Sequence, residues 1–180
     1  MIGRTHVSVH GPKADRYASR EDFRKVFDED SNGLYQLSFL LTGGPEKAEQ
    51  CFVGGSEDCA RGTPVFREWA HSRAKRAIIR HAIKELKPRP TLSNSSLSAT
   101  VFFDADKLSR SRDGHFEIGA ILGLEDFERF VFIMSVLERY SDHDCALLLD
   151  CSVQQFRQAR TCAFRHIENS PGVPLWPVSF

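Results

Sequence analysis

Between Pro64 and Pro88 the chain leaves itself one regular conformation. Thr63 and Pro64 open its longest helical segment, which runs to about Leu86 because Pro88 and Pro90 forbid continuation. Ile78, Ile79, Ala82, Ile83 and Leu86 cover one side of that helix. Trp69, Arg73, Arg76, Arg80, Lys84 and Lys87 recur at three- and four-residue steps and form a stripe on the other. A strand, with its period of two, would scatter both sets over both faces.

Helix punctuation elsewhere points the same way. Ser19 with Asp22 suits an N-terminal cap ahead of Phe23, Val26 and Phe27, and Asp30 or Ser31 can open a second helix through Leu34, Leu37 and Leu41. Gly43 and Gly44 stop it; Pro45 starts a third helix through Ala48 to Phe52, which Gly54 and Gly55 are expected to end. From Lys87 to Asp113 the composition turns to proline, serine and asparagine, as in an interdomain linker, with Val101, Phe102 and Phe103 able to dock as a strand or a turn. A further helix is expected from Leu124 or Glu125 to Tyr140, with Phe127, Val131, Met134 and Leu137 on its buried face. Ser141 with Asp144 and Ser152 with Gln155 are capping-box patterns opening two more helices, the second reaching about His166. The expected fold is all-α: two small helical domains joined by a linker, the C-terminal one a helix-turn-helix.

Composition bounds function before any motif does. The 180 residues carry 24 Lys and Arg against 24 Asp and Glu, so no global basic field announces a nucleic-acid binder. The charge is segregated instead. Residues 21–60 hold nine acids against three bases, whereas residues 61–90 hold nine bases against Glu68 and Glu85. Even the longest apolar runs, Phe130 to Met134 among them, fall far short of the roughly 20 residues that span a bilayer, and Met1 to Arg20 lacks the apolar stretch of a secretory signal. A cytoplasmic protein without membrane contact is expected. Cys51, Cys59, Cys145, Cys151 and Cys162 form no C-x-x-C pair and read as reduced structural thiols.

Two constellations could carry function. The last two helices are joined by only Asp150, Cys151 and Ser152, as in a helix-turn-helix whose second helix enters a major groove. On that second helix Phe156, Ala159, Ala163 and Ile167 fall inward, and Gln154, Arg157, Gln158, Thr161 and Arg165 fall outward. Arginine can bond guanine and glutamine adenine in bidentate fashion, so the outward set is chemically fit to read base edges; the same set also suits the solvated face of any bundle helix. The second constellation is the stripe of Trp69, Arg73, Arg76, Arg80 and Lys84, whose cations suit phosphates and whose indole could stack on an unpaired base or belong to the core.

Catalytic and metal signatures are missing from the sequence. There is no G-x-S-x-G, no phosphate loop, no H-E-x-x-H and no defensible ligand set among His6, His10, His71, His81, His115, His143 and His166. Gly43-Gly44-Pro45 lacks the lysine and preceding strand of an anion-cradling loop and reads as a helix stop. No enzyme, cofactor or metal site is expected.

An acidic helical block, a basic helix headed by tryptophan, a polar linker and a C-terminal helix-turn-helix together resemble the extracytoplasmic-function type of bacterial RNA polymerase sigma factor. In the first part Leu34-Tyr35, Leu41-Thr42-Gly43 and Ala48-Glu49-Gln50 resemble the family's LY, TG and AED elements. In the second, Leu124, Arg129, Val131-Phe132, Leu137, Tyr140-Ser141, Asp144-Cys145-Ala146, Leu148-Leu149 and Ser152 follow its L-P-x-x-x-R helix, then E-I-A-x-x-L-G and S. The resemblance divides the chain into an N-terminal extension (1–18), a region-2-like domain (19–87), a linker (88–118), a region-4-like domain (119–168) and a tail (169–180).

That resemblance implies core RNA polymerase and promoter DNA as partners, with an anti-sigma regulator as a further partner of this class. Glu46 and Glu49 would face the polymerase. Trp69, Arg73, Arg76, Arg80 and Lys84 would meet the melted promoter element, and Gln154, Arg157, Gln158, Thr161 and Arg165 the distal one. The sequence departs from the family at Asp150, where glycine is usual, at Ala159 for arginine and at Gln50 for aspartate. Trp69 to Arg76 departs from the W-L-x-x-I-A-R-N pattern, and Cys51 to Thr63 stands where a helix ordinarily continues the polymerase-binding face. The alternative expectation is a sigma-derived regulatory interaction protein that keeps the fold without reading promoters.

Overall fold

The structure is a computed structural model and describes residues 16–62, 64–90 and 118–169. The expected extension, most of the linker with Val101 to Phe103, and the tail therefore lie outside the described residues. What is described is all-helical: α1 (Arg20–Glu29), α2 (Ser31–Thr42), α3 (Pro45–Arg61), α4 (Ala70–Leu86), α5 (Ile118–Leu122), α6 (Asp126–Phe132), α7 (Asp142–Leu148) and α8 (Val153–Asn169). A 3-10 turn over Arg67–Trp69 leads into α4, and a π-helical turn over Ile133–Leu137 extends α6.

The caps form where the sequence places them. Ser19 Oγ accepts from the Asp22 amide while the Asp22 carboxylate takes the Ser19 amide, a reciprocal box at the head of α1. Gly43 ends α2 in the left-handed conformation at φ 72°, which glycine adopts without steric cost, and Pro45 begins α3. Ser141 caps α7 through the Asp144 amide. Ser152 and Gln155 close the box on α8, with bonds of 2.9 and 3.1 Å.

Three expectations about element bounds are corrected. Gly54 and Gly55 do not end the third helix; α3 runs on to Arg61. Gly55 is buried against α4, where an added Cβ would lie 2.8 Å from Ile78 Cγ1 and 3.1 Å from the Ile78 backbone nitrogen. The glycine is a site of close helix approach, so packing offsets its poor helix propensity. Consequently Cys51 to Arg61 continue a helix rather than replace one.

The basic helix starts later than Pro64, because Val65 and Phe66 are held extended: the Ala18 amide donates to the Val65 carbonyl at 2.8 Å and Tyr17 bridges to Phe66. The helix after Glu125 ends at Leu137 rather than Tyr140, and Arg139 takes a positive φ of 55° before the chain turns into α7.

Helices α1 to α4 pack as one bundle, and α8 packs across α6 and α7. The two groups meet where α2 touches α5 and α6, and buried side chains of both belong to one hydrophobic cluster, from Phe23 and Leu34 through Ile78 to Phe130, Phe132 and Phe156. Arg129, 6 % exposed, is the polar element of that junction. Its Nε donates to the Leu41 carbonyl in the last turn of α2, its Nη1 donates to the Leu124 carbonyl, and its Nη2 pairs with Asp126. A cation on the C-terminal carbonyls of α2 also meets the negative end of that helix.

Candidate nucleic-acid interface

The turn between α7 and α8 is short because Asp150 accepts φ 51°. Aspartate is among the few residues that tolerate this region, so it serves where glycine would be easier. Phe156 and Ala163 are fully buried, and Ala159 and Ile167 are partly buried against the core, as the inward set requires. Of the outward set, Gln154, Arg157 and Gln158 are exposed, while Thr161 and Arg165 are half-buried. Thr161 Oγ1 donates back to the Arg157 carbonyl at 3.1 Å.

Asp142, in the first turn of α7, ties the two helices together and was not foreseen. Its carboxylate accepts from Arg157 Nε at 2.8 Å and from Arg160 Nη1 at 2.5 Å. Burial alone would raise its pKa; the Arg157 hydrogen bond, with the charge of Arg160, outweighs that and holds it below the usual carboxylate range. Arg160 in turn lies 5.8 Å from the centre of the buried Phe156 ring. Sequence could signal neither contact, because fifteen and eighteen residues separate the partners and only the tight turn closes the distance.

The stripe on α4 is where its spacing predicts. Trp69 is 56 % exposed, which resolves its alternatives in favour of the surface, and it stands edge to face with Phe66 at 5.2 Å between ring centres. Phe66 is stacked in turn on Tyr17 at 5.1 Å. Arg80 and Lys84 are exposed; Arg73 and Arg76 are half-buried. They are half-buried because Trp69, Arg73, Arg76 and Arg80 line a cleft of about 750 Å³ whose far wall is the segment 138–144.

Across that cleft Lys75 Nζ pairs with Glu138 at 3.0 Å, and the half-buried Tyr140 hydroxyl, its pKa raised by burial, lies near Arg76. Arg139 joins the lining. Neither Arg139 nor the Lys75–Glu138 pair was foreseen, since no local pattern links α4 to a turn sixty residues on.

Glu46 and Glu49 sit exposed on the first turns of α3, apart from both the cleft and α8. The cysteines are free, and burial pushes the thiols of Cys51 and Cys59 up to about 11 and that of Cys145 to about 12, so these three are neutral near pH 7. No group of His, Cys, Asp and Glu able to hold a metal occurs among the described residues, nor among them is any helix long and apolar enough to cross a membrane. No known family model matches the chain, and no curated protein matches it in sequence.

Proposed function

We propose that the chain is a sigma-like transcription initiation factor that binds core RNA polymerase and directs it to promoter DNA, without chemistry or a cofactor of its own. In this reading residues 119–168 form a helix-turn-helix domain that reads the distal promoter element, and residues 19–87 form a domain that meets the polymerase through Glu46 and Glu49 and the melted element through the α4 stripe. Its working place is the cytoplasm. The observation that carries the reading is α8 itself: boxed by Ser152 and Gln155, set by a four-residue turn against α7, and presenting Gln154, Arg157 and Gln158 to solvent on its first two turns.

The test has two parts. Affinity capture of the tagged chain from its host's lysate should recover the large polymerase subunits. A binding selection with that complex should yield a sequence motif, and Arg157→Ala or Gln158→Ala should relax one base position by roughly 1–3 kcal/mol, about five- to 150-fold. Failure to recover polymerase at low salt, with the chain folded, overturns the reading.

A second reading, a sigma-derived interaction protein that does not read promoters, is favoured by two observations: Trp69, Arg73, Arg76 and Arg80 of the stripe line a cleft walled by 138–144, and Arg157 is engaged by Asp142. Polymerase recovered without any selected motif would support it.

A further inference from the structure

We propose that the cleft between α4 and the 138–144 segment binds a nucleoside di- or triphosphate, with Trp69 as the platform for the base and the arginines of α4 and Arg139 on the phosphates. The proposal goes beyond promoter reading and does not depend on it. Five cations line the cleft, Arg73, Lys75, Arg76, Arg80 and Arg139, against two carboxylates, Glu138 and Asp144. Both carboxylates are already engaged: Glu138 pairs with Lys75, and Asp144 accepts from the Ser141 hydroxyl at 2.6 Å. Among the described residues the four guanidiniums have no carboxylate partner; Arg73 Nε is closed off by the protein itself, and its Nη2 lies against Gly62 at the end of α3. A phosphate oxygen is the acceptor that suits a guanidinium fork, and the forks of Arg76, Arg80 and Arg139 reach the cleft without a carboxylate to hold them.

Size and layout narrow the class of ligand. A volume of about 750 Å³ lies within the range of small-molecule and cofactor sites. Trp69 and Arg80 are eleven residues apart, about 16 Å along the helix axis, a span that an extended nucleoside triphosphate covers together with the reach of the Arg80 side chain, while Arg76 stands nearer for a diphosphate. The hydroxyls of Ser72 and Tyr140 in the lining add neutral donors for a ribose or phosphate. A bare phosphate would use one end of this layout and leave the indole idle.

The test is a titration of the W176F chain, in which Trp69 is the single remaining indole, with ATP, GTP, pyrophosphate and adenosine, read by tryptophan fluorescence and calorimetry. Saturable quenching by ATP or GTP is expected, with pyrophosphate at least tenfold weaker and adenosine weaker still. R76Q/R80Q should lower nucleotide affinity at least tenfold, and W69A should remove the advantage of ATP over pyrophosphate. Should R76Q/R80Q fail to fold by circular dichroism, R139Q takes its place with the same expectation. Pyrophosphate binding as tightly as ATP would overturn the base platform and leave a phosphate site. No saturation at millimolar nucleotide would overturn the site altogether, and so would binding of a single-stranded oligonucleotide where mononucleotides fail; neither result touches the promoter assay above.

Discussion

Asp150 and Asp142 lie eight residues apart and do opposite things to stability. Asp150 holds φ 51° at a cost that glycine would not incur, so Asp150→Gly is expected to raise stability by up to about 1 kcal/mol in urea denaturation, the gain being trimmed by the greater freedom of glycine in the unfolded chain. Asp142 contributes stability through its ion pairs with Arg157 and Arg160. Its pKa is depressed in the folded state, so the contribution is fully present above the unfolded value near 3.9 and is lost as pH falls through the lower folded value. The stability gap between the native chain and Asp142→Asn should therefore be constant near neutrality and close below about pH 4, as measured by denaturation at a series of pH values. The same substitution frees Arg157, so DNA affinity should rise while stability falls.

At the scale of elements, the α3–α4 pair shows what packing adds to pattern. Gly55→Ala places a methyl group against Ile78 side chain and backbone, and overpacking of about 1–3 kcal/mol outweighs the gain of roughly 1 kcal/mol in helix propensity. A net loss of about 1 kcal/mol is expected, visible as a lower urea midpoint with an unchanged slope. Local sequence announces a helix end only where the signal acts locally. Ser19, Ser141, Ser152, Gly43 and Pro45 announce helix ends because each acts on backbone groups within four residues of itself. Gly54 and Gly55 mislead because a helical glycine is a stop or a seat depending on what lies opposite, and the opposing Ile78 is more than twenty residues away. The late start of α4 has the same origin, since Tyr17 and Ala18 hold Val65 and Phe66 extended from across the bundle. For the candidate site, the α4 stripe and the outward face of α8 were legible from period alone, whereas Arg139, the Lys75–Glu138 pair and the grip of Asp142 depend on tertiary closure.

On the scale of the whole molecule, the helices on either side of the 91–117 segment share a core, and Arg129 fastens them. Arg129→Met keeps most of the apolar stem but strips the Leu41 and Leu124 carbonyls of their donor. A loss of about 2–4 kcal/mol is expected from two buried acceptors left without partners. If 138–144 screens the stripe from a long nucleic acid, the same variant, or Glu138→Gln, should also bind non-specific DNA more tightly, with a steeper salt dependence as more cations reach phosphate. Gel-shift titrations at two salt concentrations check this, and an unchanged slope would mean that the cleft is not a barrier.

The placement of Arg129 has a consequence for how such a chain can be divided. The last turn of α2 receives its cap from α6, so a cut anywhere between them would hand one fragment a helix with a bare end and the other a guanidinium sunk in apolar surroundings. Neither piece inherits a finished surface. Proteolysis inside the segment between the helix groups is therefore expected to leave the fragments clinging together, and shuffling either group alone into another protein would carry an open wound with it.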